Sequence, residues 1–315
     1  MEPAAARLER LAGRYVPGSG PLQIDRLGSG LVNRSYRVRR DGQLFSFRIA
    51  APRASELGLD REWECRVLHC AADAGLAPAV ECCEPRSGIL VMRWAPGKFW
   101  SVEQASSPGN LAKVALLARR VHALPLLERP RIVSPAQWVA FYRRALSRQG
   151  GGEHTGRRDR RRAALDAMAQ SLIDTPGVEP AAATLCHSDL HVHNLLLVPD
   201  GTPGGAPIAL DWEYAHVSDP WWDLAGWACN GDLKAERRDL LLRLYLDREP
   251  TPEEGARLRR LTWLYDYVSL LWSELYLSSR SKAAGAGDTV SARAERLADR
   301  LTLARRSGAH TSISG

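Results

Sequence analysis

The sequence predicts an α+β fold: a small β-rich N-terminal lobe, residues 1–95, and a larger, mainly helical C-terminal lobe, residues 96–315. Three observations predict it. Strand-like runs and turn signals fill residues 20 to 95, helical spacing dominates after Ala95–Gly97, and one short hairpin pattern interrupts the helices. Runs of strands followed by runs of helices mark the segregated α+β class.

In chain order, "MEPAAARLERLAGRY" reads as an amphipathic helix and lacks the apolar core and cleavage site of a signal peptide. "LQIDRLGSGLVNRSYRV" gives two strands about a turn holding Gly28 and Gly30. Asp41–Gly42 is a hairpin signal ahead of the strand "QLFSFRIA". "LDREWECRVLHCAADAG" has helical spacing, with Gly75 and Pro78 as its stop. "AVECCEP" and "GILVMRW" form a second strand pair. Helices are expected at Leu111–Ala123, Pro135–Gln149, Arg161–Ile173 and from Leu233 onward, while "NLLLVP" and "PIALDW" make the inserted hairpin. "SRQGGGEHTG" reads as a flexible loop and "GAHTSISG" as a frayed tail.

Composition is that of an ordinary globular protein, with 45% hydrophobic and 25% charged residues. No apolar run reaches the roughly 18 residues of a membrane helix. Without an export signal a cytoplasmic location is expected, and the six cysteines, which form no C-x-x-C pair, read as buried free thiols. The net charge of +7 is concentrated in "RRDRRRAA" and the last helix, a solvated face by expectation. No aromatic residue interleaves that run, so a nucleic-acid partner is not expected. No segment signals an oligomer interface.

The chemistry concentrates in "LCHSDLHVHN". His187, Asp189, His191 and His193 alternate, and on a strand they would offer one face to zinc, as in a metal-dependent hydrolase. That reading leaves Asn194, Asp211, Arg48 and the glycine turn without a role. The same stretch contains H-x-D-x-x-x-x-N, followed by a hairpin and then Asp211, the layout that phosphoryl transfer requires. One carboxylate takes or orients the proton of an attacking hydroxyl; an amide oxygen and a second carboxylate hold Mg²⁺ against the phosphates.

"LCHSDLHVHNLLL" and "IALDWEYA" resemble the aminoglycoside phosphotransferase and choline kinase superfamily, closest to choline, ethanolamine and thiamine kinases, whose fold is protein-kinase-like and bilobal. The resemblance runs from Gly28 to about Tyr276. It implies Asp189 as catalytic base, with Asn194 and Asp211 as Mg²⁺ ligands. For ATP it implies Gly28, Gly30 and Asn33 in the phosphate-covering turn, Arg48 on the strand that usually carries lysine, and the backbone from Arg93 to Ala95 at the adenine. Glu64 would orient Arg48, with Glu62 as competitor; R-x-x-E spacing from Arg61 selects Glu64. Asp219 or Asp223 would tie the loop or cap the next helix.

The acceptor is expected among the C-terminal helices, where "LTWLYDYVSLLWSELYLSS" and "WWDLAGW" gather tryptophans. An aromatic cage suits a cation, so a choline-, ethanolamine- or thiamine-like alcohol is expected, with Trp272 and Glu213 as acceptor residues. Glu213 could instead anchor the metal loop, and most of the rings should be core. An aminoglycoside or sugar is the rival acceptor, and a non-catalytic nucleotide-binding regulator the rival class.

Overall fold

The computed structural model describes residues 4–28, 31–50, 54–149, 157–175, 183–199, 205–278 and 286–307. Residues 150–156 and 308–315, most of the expected loop and the expected tail, lie outside them. An N-terminal antiparallel sheet is followed by a mostly helical part, and the chain divides into two units. One comprises Met1–Phe99 with Leu195–Tyr214, the other Trp100–Asn194 with Ala215–Gly315.

The first unit begins with helix α1 (Ala4–Tyr15) and a five-stranded antiparallel sheet of order β1-β2-β3-β5-β4. Its strands are β1 (Gln23–Leu27), β2 (Asn33–Arg40), β3 (Gln43–Ala50), β4 (Val80–Glu84) and β5 (Ile89–Arg93). The β2–β3 turn puts Asp41 at φ 49° and Gly42 at φ 77°; two left-handed residues match the twist of the strands they join. The Asp41 carboxylate also accepts the backbone N–H groups of Ser19 (2.9 Å) and Gly20 (3.3 Å). These bonds hold its pKa below the usual carboxylate value.

Alternation along β3 separates two tasks. Phe45 and Phe47 are fully buried with Val38, Ile89 and Val91 against Ala12 and Val16 at α1. Arg48, on the opposite side of the strand, meets helix α2 (Arg61–Asp73) through Glu64. Asp60 caps α2, its carboxylate accepting the Trp63 N–H at 3.0 Å. The inserted hairpin, β7 (Leu195–Val198) with β8 (Ala206–Ala209), joins this unit by backbone bonds between Lys98 and Leu197 and from Ala209 N–H to Leu76.

One cysteine expectation is corrected. The sulfurs of Cys65 on α2 and Cys83 on β4 are joined, with their Cα atoms 5.9 Å apart, rather than forming two free thiols. Helix and strand come together through tertiary packing, which an 18-residue separation does not reveal.

The second unit carries α3 (Val102–Ala105), α4 (Pro108–His122), α5 (Pro135–Arg148) and α6 (Arg157–Ile173). After the short antiparallel pair β6 (Thr184–Cys186) and β9 (His216–Ser218) come α7 (Trp221–Asn230), α8 (Ala235–Leu246), α9 (Pro252–Ser278) and α10 (Ala286–Ser307). Helix α9 packs against α5, α7 and α10. Ser134 and Gln137 form a reciprocal capping box at α5, with Pro135 at its first position. Part of the basic run on α6 is paired rather than only solvated: Arg161 meets Asp299 and Arg162 meets Glu274. Trp212, in the first unit, and Trp222 and Trp227, in the second, are almost wholly buried. No helix among the described residues is long and apolar enough to cross a membrane.

Phe47→Ala should lower the unfolding free energy by about 3–5 kcal/mol, measured as a lower urea midpoint with unchanged slope. A loss below about 1 kcal/mol would contradict the placement of this ring in the core.

Candidate active site

The first unit assembles a buried charge network. On β3, the Arg48 guanidinium bonds Asp211 Oδ1 through Nη1 at 2.9 Å and Glu64 through Nη2. Arg61 Nη1 donates to Glu64 Oε2 (2.7 Å) and Glu213 Oε2 (2.9 Å), and its Nη2 donates to Asn33 Oδ1 (2.9 Å). Asn33 Nδ2 closes the ring on Glu213 Oε2 at 2.7 Å. The partner of Arg48 on α2 is therefore Glu64, not Glu62, which lies two residues away on another face.

Burial opposes the charge on Arg48, but Glu64, Asp211 and Glu213 outweigh it and raise its pKa. Burial likewise raises the Glu64 carboxyl; Arg48 and Arg61 reverse the sign and keep it ionised. Glu213 goes the other way: burial, then the charge of Asp211, push it up to about 7 against both arginines. Three carboxylates (Glu64, Asp211, Glu213) face two guanidinium groups, so with all ionised the cluster carries one net negative charge. Carboxylate oxygens of these three residues lie within 4.8 Å of one another, an arrangement able to hold a cation. Hard divalent ions take such oxygen donors. Asp211 sits at φ 60° and its side chain keeps 38% exposure while its neighbours in the network are buried.

In the second unit, the loop after β6 is built around Asp223 of α7. Its carboxylate accepts the backbone N–H groups of His187 (2.9 Å) and Ser188 (2.6 Å) and lies 3.1 Å from His122 Nε2. His122 Nδ1 lies 2.9 Å from the Tyr245 hydroxyl. Burial raises the Asp223 carboxyl, but His122 and His187 prevail and leave it lowered. His122, Cys186 and Asp223 form a cluster of metal-ligating types, but two backbone donors and a ring already occupy the carboxylate. Asp219 has the second task foreseen for the pair, accepting the Trp221 N–H at 2.9 Å at the start of α7 and pairing with Arg257. The indole of Trp138 only donates, so His216 Nε2 accepts from it and the proton on Nδ1 faces Ser188 Oγ at 3.0 Å.

Asp189 stands on this braced loop. Asn194 Nδ2 bonds both its carbonyl and its Oδ2, each at 3.0 Å, and His191 Nε2 is 3.6 Å from Oδ2. Because His191 Nδ1 accepts the His193 N–H, the proton of a neutral ring faces Asp189. Burial pushes the Asp189 carboxyl up; His191, His187 and Arg293 more than reverse it, so the group is ionised at neutral pH. Among the described residues nothing bonds Asn194 Oδ1, the atom that a hard cation would take.

The four-ligand zinc arrangement is not formed. Strand β6 ends at Cys186, and residues 187–194 are irregular, so the alternation does not put the four side chains on one face. His187 is fully buried beneath the loop.

Other expected positions are placed as follows. Gly28 precedes β2 at φ 25°, while Gly30 lies outside the described residues. Arg93 uses its side chain on Glu81 and Gln43, and the N–H groups of Arg93 and Trp94 bond Ala79 and Leu44. No acceptor meets the Ala95 N–H among the described residues. Glu213, expected either at the acceptor or as an anchor, is buried between Asn33 and Arg61. Trp272 is partly exposed and stacks on Tyr276 at 5.2 Å. Sequence reasoning used Arg61 only as a spacing marker and missed its bridging of Glu64, Glu213 and Asn33. The i to i+3 step to Glu64 was its one local signal.

Residues 23–266 match the model of the phosphotransferase enzyme family, and the chain belongs to that family. No curated protein matches the sequence. Several solved structures share the fold class expected from the sequence. A choline/ethanolamine kinase family protein from Mesorhizobium loti is 23% identical, with a TM-score of 0.72 over 95% of this chain and 94% of its own. The choline kinase LicA from Streptococcus pneumoniae is 20% identical, with a TM-score of 0.73 over 95% and 99%. The macrolide 2'-phosphotransferase MphH from Brachybacterium faecium is 21% identical, with a TM-score of 0.61 over 94% and 97%. The chain is thus a phosphotransferase whose fold is shared by kinases of small alcohols and by enzymes that modify antibiotics.

Asp223→Ala leaves two buried backbone donors and His122 without their acceptor. Stability should fall by about 2–5 kcal/mol, read from chemical unfolding, and an unchanged midpoint would contradict the bracing assigned to Asp223.

Proposed function

We propose that the protein transfers the γ-phosphoryl group of ATP to the hydroxyl of a small molecule, with Mg²⁺ and with Asp189 as base. The observation that carries this reading is the Asp189–Asn194 pair: an ionised carboxylate fixed by the amide nitrogen of a residue whose amide oxygen is left for a cation.

In the proposed step the acceptor oxygen forms a bond to the γ-phosphorus while the bond from that phosphorus to the β,γ-bridging oxygen breaks, and ADP leaves. Asp189 takes the hydroxyl proton. A metal ion held by Asn194 Oδ1 and Asp211 would offset charge on the phosphates. Arg48, kept charged by its carboxylates, would place its positive charge beside the phosphate oxygens, and Glu64 fixes where the guanidinium lies. The Ala95 N–H is available to an adenine edge.

The sequence favours a cationic alcohol of the choline, ethanolamine or thiamine kind. The aromatic residues of α9 do not by themselves support it: Trp263 stacks on buried Tyr267, and Trp272 on Tyr276. One face of each ring is covered.

Asp189→Asn should reduce phosphoryl transfer by at least about 100-fold while ADP binding, followed by calorimetry, stays within a few-fold. Retention of more than a tenth of the rate would remove Asp189 from the role of base. Chelation with EDTA should abolish turnover and added Mg²⁺ restore it; full activity in EDTA would contradict the assignment of Asn194 and Asp211.

A further inference from the structure

We infer that Arg293 of α10 is a specificity residue that favours acceptors carrying an anionic group close to the reacting hydroxyl, a carboxylate or phosphate, over cationic alcohols. The inference rests on the kinase reading of Asp189 and deepens it.

Arg293 approaches the base loop through a chain of polar contacts within the second unit. Its Nη2 lies 3.4 Å from Asn230 Oδ1 at the end of α7. Asn230 Nδ2 in turn lies 3.5 Å from the carbonyl of Leu190 and 3.4 Å from the Tyr265 hydroxyl, which points at the carbonyl of Ser188 at 3.4 Å. The contacts thus reach the residues on both sides of Asp189. They are long, so they locate the groups rather than bind them tightly. The guanidinium is close enough to help lower the Asp189 carboxyl, and of the groups that do so it alone comes from outside the 187–191 stretch.

Arg293 lacks the carboxylate partner that Arg300 and Arg257, also partly buried in the second unit, have. Arg300 pairs with Asp266 and Asp232, and Arg257 with Asp219. Among the described residues no carboxylate lies within 4.0 Å of the Arg293 guanidinium, and Asn230 is its one hydrogen-bond contact. Asp266 feels its charge, but the Asp266 carboxylate is bonded to Arg300. A guanidinium has five N–H donors, and one long contact to a neutral amide leaves most of them for a ligand. A partly buried cation with this vacancy attracts an anion and repels a quaternary ammonium.

The test is steady-state kinetics with Mg-ATP for the wild type, Arg293→Gln and Arg293→Lys. The probes are matched acceptors of three charges: glycerate and glycolate as anionic hydroxy acids, glycerol as neutral, choline and ethanolamine as cationic, together with acceptor-free ATP hydrolysis. The wild type should show its highest kcat/KM with a hydroxy acid. Arg293→Gln should lower that value by about 10- to 100-fold, mainly through KM, and leave glycerol and ATP hydrolysis within about two-fold. Arg293→Lys, which keeps the charge, should recover part of the loss and shows that the fold tolerates change at this position. Preference of the wild type for choline, ethanolamine or glycerol overturns the inference and leaves the kinase reading standing. A parallel loss with every acceptor and in ATP hydrolysis also overturns it, because the charge would then serve the transferred phosphoryl group. Transfer to none of the probes counts against both.

Discussion

A guanidinium withdrawn from water must be surrounded by carboxylates, and Arg48 is surrounded by three. Much of the first unit follows from that requirement. Glu64 has to reach β3 from α2, which fixes the helix against one side of the sheet while Phe45 and Phe47 fill the other. Asp211 has to reach it from the far end of the β7–β8 hairpin, and does so from a left-handed backbone conformation that a non-glycine residue adopts at a cost. Arg61 and Asn33 then satisfy Glu64 and Glu213. Removing Arg48 or Arg61 would leave buried carboxylates without their cation, so the network has few ways to rearrange. Its carboxylate excess is what a divalent ion bound to nucleotide phosphates would use.

The second unit solves a related problem with one acid. Asp223 takes the N–H groups of His187 and Ser188, which gives the loop of Asp189 its shape without strand or helix, and Ser188 can then adopt φ 68°. Asn194 is bound back onto Asp189, so the two groups that the proposal assigns to proton transfer and metal binding are spaced by a direct hydrogen bond rather than by separate elements. Histidines that look like ligands in the sequence act as braces, His187 below the loop and His191 beside the carboxylate, and His216 lies behind Ser188.

What was legible in the sequence is what is local. The Asp41–Gly42 turn, the capped helix from Arg61, the β7–β8 hairpin and the Asp189–Asn194 spacing each depend on residues a few positions apart, where backbone stereochemistry and hydrogen bonding act directly. What was not legible depends on tertiary closure. Nothing near Asn33 announces Glu213, 180 residues away; nothing near Cys65 announces Cys83. Arg293 lies in a run of charged helical residues, and nothing local shows that its contact is the neutral amide of Asn230, 63 residues away. The tryptophans leave the acceptor open for a simpler reason: large rings are the ordinary filling of a helical core, as the sequence reading expected of most of them, and a count cannot tell a core from a cage.

The central claim is that the carboxylate excess at Asp211 makes nucleotide binding depend on a divalent ion. Calorimetric titration of ADP with and without Mg²⁺ tests it most directly, in the wild type and in Asp211→Asn. Mg²⁺ should tighten ADP binding at least about 10-fold in the wild type and leave the variant nearly unaffected. An equal effect of Mg²⁺ on both proteins would contradict the claim.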